Sequence, residues 1–276
     1  MTATTLDPTE AVDALDLGSG AERRGVWMLR DGLTVTYRNL LGYLRVPEML
    51  FFTAIQPVMF VLLFRYVFGG AIPTPGYSYV DYLMPGIFVQ TAAFAAMATS
   101  IGLAEDLQKG LVERFRTLPM ARSAVLVGRT SADGVRNLFV LALLTVVGLA
   151  VGFRPQTNAL AYLAGIALIA AFAYALTWGA AAVGLGARTA ETAQLKIMPV
   201  LFPLTFASSA FVPVSTMPGW LQPIAEHQPV TIVVDAARAL MLGGPTARPV
   251  LEAIAWIAGL LVVLVPYAVR KYRQVA

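Results

Sequence analysis

Charged residues crowd the stretch between Glu105 and Arg129, the only long and strongly charged stretch that has membrane-length apolar runs on both sides. Within it Leu107, Leu111, Phe115 and Leu118 recur at four- and three-residue steps and form one helical stripe. Charged side chains beside such a stripe suit docking into a groove with a charged rim on another protein. The alternative is a solvated loop whose ion pairs each contribute well under about 1 kcal/mol.

The order of charges along this stretch favours a short helix. Glu105 and Asp106 come first, and Arg114 and Arg116 follow, which is the arrangement that a helix macrodipole prefers. Gly110 would kink or cap such a helix. The predicted docking element consists of Glu105, Asp106, Gly110, Glu113, Arg114, Phe115, Arg116 and Pro119, within a loop spanning 105–131.

The composition indicates a membrane protein. Hydrophobic residues make up 58% of the 276 residues and charged residues 13%, with a mean hydropathy of +0.69. An ordinary soluble domain has about 25% charged residues, so this chain lacks the polar residues to cover its own surface.

Six apolar runs approach the roughly 20 residues that a spanning helix needs. A seventh run, Thr231–Leu242, is too short and is interpreted as interfacial or re-entrant. The six predicted spans are Glu48–Phe68, Val80–Ala104, Val135–Phe153, Ala159–Gly186, Ile197–Val212 and Leu251–Val269.

The distribution of Lys and Arg sets the orientation, because basic loops stay in the cytoplasm. With both termini inside, only Arg154, Arg238 and Arg248 lie outside. The net charge of +4 is then a sign of topology and requires no nucleic-acid partner. Residues 1–25 are expected to be a disordered cytoplasmic tail and residues 26–47 an amphipathic helix lying on the membrane surface.

The segment 213–244 is expected to lie outside. Prolines at 213, 218, 223 and 229 exclude one continuous helix, although the segment stays apolar. Irregular backbone is tolerated at membrane depth only where protein or a wet cavity satisfies it. We therefore expect short re-entrant helices that form an extracellular gate; an interfacial loop with Trp220 at the headgroups is the alternative. The predicted gate residues are Phe211, Pro213, Met217, Pro218, Trp220, Leu221 and Pro229.

Polar residues within the predicted spans are few. Gln56, Gln90, Thr91 and Thr205 are candidates to line a pathway, although Thr usually returns its hydroxyl to a helix carbonyl. No acidic residue is expected deep in a span, which counts against a carrier driven by protons or sodium. The chain has no cysteine and a single histidine, His227, so we expect neither a metal site nor a catalytic residue.

Two separated motifs carry a family resemblance. Residues Glu105–Met120 read EDLQKGLVERFRTLPM, and downstream Ser208–Pro213 read SSAFVP and Met217–Leu221 read MPGWL. In this order, on six spans, they resemble the permeases of ABC exporters of the second type, especially the daunorubicin and doxorubicin resistance branch.

The resemblance implies an all-α integral membrane fold with six transmembrane helices. It implies an in-plane amphipathic helix before them, a cytoplasmic coupling helix at the charged loop and short re-entrant extracellular helices, with the permease domain spanning 48–276. It further implies a plasma-membrane subunit that pairs with a second permease, most simply its own copy, and with two ATP-binding cassette subunits. ATP and Mg would be bound by those subunits, since this chain has no Gly-x-x-x-x-Gly-Lys-Ser/Thr stretch.

Other functions remain open from the sequence. A lipid-modifying membrane enzyme would need a cluster of acids or histidines at one membrane face, and none is visible. A secondary carrier would transport along ion gradients without ATP. Within the exporter class, the cargo is either a drug-like amphipathic compound, a lipid or a polysaccharide.

Overall fold

The computed structural model describes residues 47–69, 76, 78–110 and 122–275, and every regular element in these ranges is helical. The predicted tail and almost all of the predicted surface helix, 26–47, lie outside the described residues. The helices are α1 (Pro47–Leu63, continued by a π-helical turn at Phe64–Phe68), α2 (Tyr79–Gln108), α3 (Arg122–Val151), α4 (Ala159–Leu185), α5 (Ala190–Phe206), a 3-10 turn (Val214–Thr216), α6 (Gln222–His227), α7 (Pro229–Leu242) and α8 (Ala247–Val275).

Four of the helices in the described ranges are long and apolar enough to cross a membrane: α2, α3 from Thr130, α4 and α8 up to Gln274. They coincide with the second, third, fourth and sixth predicted spans. The first and fifth predicted spans correspond to α1 and α5, which have 17 residues each. Prolines interrupt both, at 57 in α1 and at 199 and 203 in α5, and α5 ends at Phe206 rather than at Val212.

Helix α2 lies at the centre of the bundle. In its most apolar window 61% of the residues are buried inside the protein, against 11% in α8, which leaves α8 at the periphery. Helices α3, α4, α5 and α7 pack around α2, and α1 packs against α2 and α3. A long helix that is apolar all round and enclosed on most sides is the expected core of such a bundle.

Small residues allow the closest approaches to α2. A Cβ atom at Gly184 of α4 would overlap the backbone of Ser100, and one at Gly86 of α2 would overlap the backbone of Ala210. Gly184 and Gly86 are therefore packing residues. Without a hydrophobic driving force between helices in lipid, such close backbone contacts supply the packing attraction.

Local sequence fixes several helix ends. Ser78, Asn158 and Thr189 accept hydrogen bonds from the backbone amides of Asp81, Ala161 and Thr192, at 3.2, 2.8 and 3.0 Å. These caps satisfy amides that have no partner within the helix. Gly110 follows the end of α2 with φ of +64°, a left-handed conformation that favours glycine.

We expect Gly86→Ala to lower the thermal unfolding midpoint of the detergent-solubilised protein, because overpacking at a tight contact costs about 1–3 kcal/mol. Gly259→Ala in α8 is the matched control, since nothing lies within 4 Å of a Cβ atom there. The control should leave the midpoint unchanged or raise it, because glycine weakens a helix interior. Equal midpoints for the two variants would contradict this packing.

Candidate functional site

The predicted gate residues do not form one cluster. Phe211 is 5% exposed and lies in the core, whereas Trp220 is 73% exposed. Pro213 is buried, Pro218 is exposed, and Met217 and Leu221 are half-buried. Pro229 begins α7, where the absent amide hydrogen costs no hydrogen bond. The segment is thus divided between a buried anchor at Phe211 and an exposed loop that carries α6.

The anchor is held by Arg238 of α7, which is only 9% exposed. Its Nε donates to the carbonyl of Tyr82 at 3.0 Å, and its Nη1 donates to Ser209 Oγ at 3.2 Å and Asp235 Oδ1 at 2.8 Å. Its Nη2 donates to the carbonyls of Ser209 and Ala210. All five guanidinium hydrogens therefore have an acceptor, as a buried arginine requires.

Further contacts complete this arrangement, which we call the Arg238 cluster: Tyr82, Ser209, Ala210, Asp235 and Arg238. The guanidinium carbon lies 3.7 Å from the centre of the Tyr82 ring, and the Tyr82 hydroxyl donates to the carbonyl of Ser209 at 3.0 Å. Ser209 Oγ also donates to Asp235 at 2.8 Å. The cluster ties α2, the chain after α5 and α7 together.

The sequence predicts that Arg238 lies outside and assigns it no individual role. The structure buries it, and its ion pair with Asp235 is local, at three residues' separation on α7. An Arg and an Asp on one face of an otherwise apolar helix are the available sequence signal. The carbonyl partners at Tyr82 and Ser209 are not visible from that pattern.

A cavity of about 220 Å³ lies among α1, α2 and α3 and brings three predicted pathway residues together, Gln56, Gln90 and Thr91. We call it the membrane cavity. Thr205 is not in its wall; it is fully buried, and its hydroxyl donates to the carbonyls of Leu201 and Phe202 at 2.7 and 3.2 Å. The remaining lining residues are Pro57, Phe60, Phe94, Ala95, Met97, Ala98, Ile101, Arg136, Asn137 and Val140.

One side of the membrane cavity is polar. Asp133 and Arg136 of α3 are both buried and paired at 3.5 Å, and Thr99 of α2 donates to Asp133 at 2.6 Å. The predicted orientation places Arg136 among the cytoplasmic charges, and the sequence pattern assigns no role to Asp133. In the structure the two side chains are buried and pair with each other. The pair is neutral overall and lies near the start of the apolar part of α3.

The predicted docking element is described only in part. Glu105 and Asp106 belong to the last turn of α2 and do not begin a separate helix, which differs from the expectation based on the macrodipole. Glu105 pairs with Lys109 at 3.2 Å, and both side chains are exposed. Gly110 ends the helix, and Glu113, Arg114, Phe115, Arg116 and Pro119 lie outside the described residues.

Among the described residues, no group of three or more His, Asp or Glu side chains is placed to hold a metal ion. The Nδ1 atom of His227 lies 2.9 Å from the carbonyl of Pro223 within α6. The polar groups in the described part serve instead to join helices and to line the membrane cavity.

The described helices define a multi-pass membrane protein, and comparison with known proteins identifies its family. Residues 31–242 match the ABC-2 type transporter family, and the chain belongs to it. It is 34% identical over 242 residues to the daunorubicin resistance ABC transporter permease protein DrrB1 of Streptomyces coeruleorubidus, covering 88% of this chain and 86% of that protein.

Two further relatives are more distant. The probable doxorubicin resistance ABC transporter permease protein DrrC of Mycobacterium tuberculosis is 28% identical over 80% of both chains. The inner membrane transport permease YadH of Escherichia coli is 26% identical over 69% of this chain and 76% of its own length. The predicted family membership is confirmed.

We expect Arg238→Met to destabilise the protein by roughly 3 kcal/mol, because it removes the buried guanidinium that donates to Tyr82, Ser209, Ala210 and Asp235. The measurement is the thermal unfolding midpoint in detergent. Arg248→Met is the matched control, since Arg248 is exposed and pairs only with the neighbouring Glu252. A similar, small change in both variants would show that the Arg238 cluster does not hold the fold together.

Proposed function

We propose that this chain is the membrane-spanning subunit of an ATP-driven exporter that moves amphipathic or hydrophobic compounds, drug-like or lipid-like, outward across the plasma membrane. The observation that carries the proposal is the 34% identity to a daunorubicin resistance permease over 88% of the chain. That length includes both motifs, the charged stretch after α2 and the proline-rich segment before α7.

In this proposal the energy comes from another polypeptide. The sequence has no phosphate-binding loop of the Gly-x-x-x-x-Gly-Lys-Ser/Thr type, so ATP and Mg are assigned to a separate ATP-binding cassette subunit. Two such subunits would act on a dimer of permeases, most simply two copies of this chain. The chain itself is then not an enzyme.

The coupling element would be the charged end of α2 and the stretch that follows it. Glu105 and Lys109 present exposed charges at the end of α2, and Gly110 follows with a positive φ, three residues before Glu113 in the sequence. Helix α2 has 30 residues, or about 45 Å at 1.5 Å per residue, and Tyr82 at its other end belongs to the Arg238 cluster. A partner that moves the Glu105 end of α2 would therefore also move the other end of the helix, which contacts the proposed gate.

The proposed gate is the segment from Phe211 to Pro229, on the extracellular side. Its anchor is tied by the Arg238 cluster, and the loop with Trp220 is exposed. In the dimer, opening an exit would require this segment to change its contacts with α2 and α7. The mostly apolar walls of the membrane cavity favour an amphipathic cargo over a polysaccharide, whose hydroxyls would lack partners there.

The function is tested in inverted membrane vesicles that contain the chain with a co-expressed ATP-binding subunit. We expect daunorubicin, the compound in the name of a relative, to accumulate in them only when ATP and Mg are supplied. Reversal of Glu113 and Arg114 together (Glu113→Lys, Arg114→Glu) should preserve membrane insertion and ATP hydrolysis but reduce ATP-driven accumulation at least tenfold.

The matched control exchanges the exposed pair at Arg248 and Glu252 (Arg248→Glu, Glu252→Arg) and should transport normally. Transport driven by an ion gradient in the absence of ATP would contradict the proposal and identify a carrier. Normal transport in the Glu113/Arg114 variant would reject the coupling assignment alone.

The proposed topology has six spans, with α1 and α5 crossing in addition to the four longer helices and both termini in the cytoplasm. Because the chain has no cysteine, single cysteines report its topology directly. We expect Lys109→Cys to react with a membrane-impermeant maleimide in inverted vesicles and Trp220→Cys to react in intact cells. Three crossings, α3, α4 and α5, separate these two exposed positions.

Ala253→Cys is the control, since Ala253 is fully buried and should not react from either side. Reaction of Lys109→Cys and Trp220→Cys from the same side would mean an even number of crossings between them. That result would exclude α5 as a span.

A further inference from the structure

The membrane cavity has the size of one ring system. Its volume of about 220 Å³ exceeds the roughly 150 Å³ of an apolar cavity that holds benzene. Phe60 of α1, Phe94 and Ile101 of α2 and Val140 of α3 contribute apolar surface to the wall. Apolar walls around a ring-sized space favour an apolar, planar group.

Asn137 provides an unusual polar group in this wall. The residue is 3% exposed, and neither its Oδ1 nor its Nδ2 has a hydrogen-bond partner among the described residues. Leaving such a group unsatisfied costs about 1–3 kcal/mol, and buried amides without a partner are rare in native proteins. A ligand group in the cavity would supply the missing partners after a change of side-chain rotamer.

The charge of the lining defines the ligand further. The described lining residues include no carboxylate, and their one cation, Arg136, is paired with Asp133. Neither a cationic nor an anionic ligand group would find an unpaired opposite charge in this described part of the wall. A carboxamide offers one acceptor and two donor hydrogens side by side, which match a neutral group with an adjacent donor and acceptor.

A row of aromatic side chains connects the membrane cavity to the anchor of the proposed gate. The ring of Phe94 in the cavity wall lies 5.4 Å from the ring of Phe202 in α5, measured between ring centroids. The centroids of Phe202 and Phe206, also in α5, are 5.3 Å apart. Phe206 stacks on Phe211 at 5.2 Å, and Phe211 stacks on Phe64 at 4.8 Å. The ring centroids of Phe64 and Phe60 are 6.0 Å apart, and Phe60 is itself a residue of the cavity wall.

These distances are those of favourable aromatic pairs. The row therefore joins the cavity wall to Phe211 through direct ring contacts. It is built from α1, α2, α5 and the chain after α5, elements separated widely in the sequence.

We propose that the membrane cavity binds the exported compound through an uncharged planar ring that carries a neighbouring hydrogen-bond donor and acceptor, and that Asn137 recognises those polar groups. The identification of this ligand as cargo rests on the proposed export function. The binding site itself is tested on the full chain without an ATP-binding subunit.

The experiment uses the purified chain in lipid nanodiscs and two probes, 2-naphthamide and 2-ethylnaphthalene. Both have the same two rings, but only 2-naphthamide has a donor and an acceptor that pair with an asparagine amide. Binding is measured by saturation-transfer difference NMR titration. We expect Asn137→Leu, which keeps the side chain's size, to weaken 2-naphthamide binding about tenfold and leave 2-ethylnaphthalene binding unchanged.

Two further variants separate recognition from loss of structure. Gln194→Leu makes the same kind of change on the exposed side of α5 and should bind both probes as the unmodified chain does. Ala98 is a half-buried residue of the cavity wall. Ala98→Leu places a larger side chain in the cavity and should weaken the binding of both probes. Asn137→Leu should also unfold at a higher temperature, since it removes a buried amide without partners.

Equal binding of 2-naphthamide to the unmodified chain and to Asn137→Leu would overturn the proposal, as would an Ala98→Leu variant that binds both probes normally. In the complex with the ATP-binding subunit, 2-naphthamide should raise the ATPase rate of the unmodified protein and not that of Asn137→Leu. Binding without that effect would indicate a lipid or structural site and overturn the cargo assignment. Absence of ATP-driven transport altogether would reject the proposed function while the binding result still stands.

Discussion

The hydrogen bonds of Arg238 to the backbone after α5 are the interaction on which the arrangement of the second half of the molecule depends. Between Ala207 and Pro213 the chain is not helical, so its carbonyls lack the partners that a helix would provide. In a bilayer such groups must be satisfied by the protein. Arg238 donates hydrogen bonds to the carbonyls of Ser209 and Ala210. Tyr79 donates to the carbonyl of Phe211, and Gln228 donates to the carbonyl of Ala207.

This requirement explains why α7 is buried although it is too short to span a membrane. Val230, Val233, Ala237 and Met241 are fully buried, and the helix packs against α2, α4 and α8. Its position brings Arg238 to the carbonyls that need a donor, and the absence of a Cβ atom at Gly86 lets the backbone of Ala210 approach α2. The close packing at Gly86 and the hydrogen bonds of Arg238 therefore hold the same short stretch of backbone around Ala210.

Helix α2 joins the three parts of the molecule that the proposed function uses. Its Tyr82 belongs to the Arg238 cluster, its Gln90 and Phe94 line the membrane cavity, and its Glu105 lies at the exposed end. An exporter needs its energy input, cargo site and exit to respond to one another. A single buried helix that contacts all three provides a physical route for that response, because a packed core moves as a unit rather than deforming continuously.

The sequence alone determined the membrane class, the positions of four long helices and the family, because hydropathy and contiguous motifs are local properties. It did not determine the burial of Arg238, the Asp133–Arg136–Thr99 contacts or the isolation of the Asn137 amide. Arg238 and its acceptor at Tyr82 are 156 residues apart, and Thr99 and Asp133 are 34 apart. Such pairs exist only after helices distant in the chain have packed, and burial then decides which polar groups find a partner.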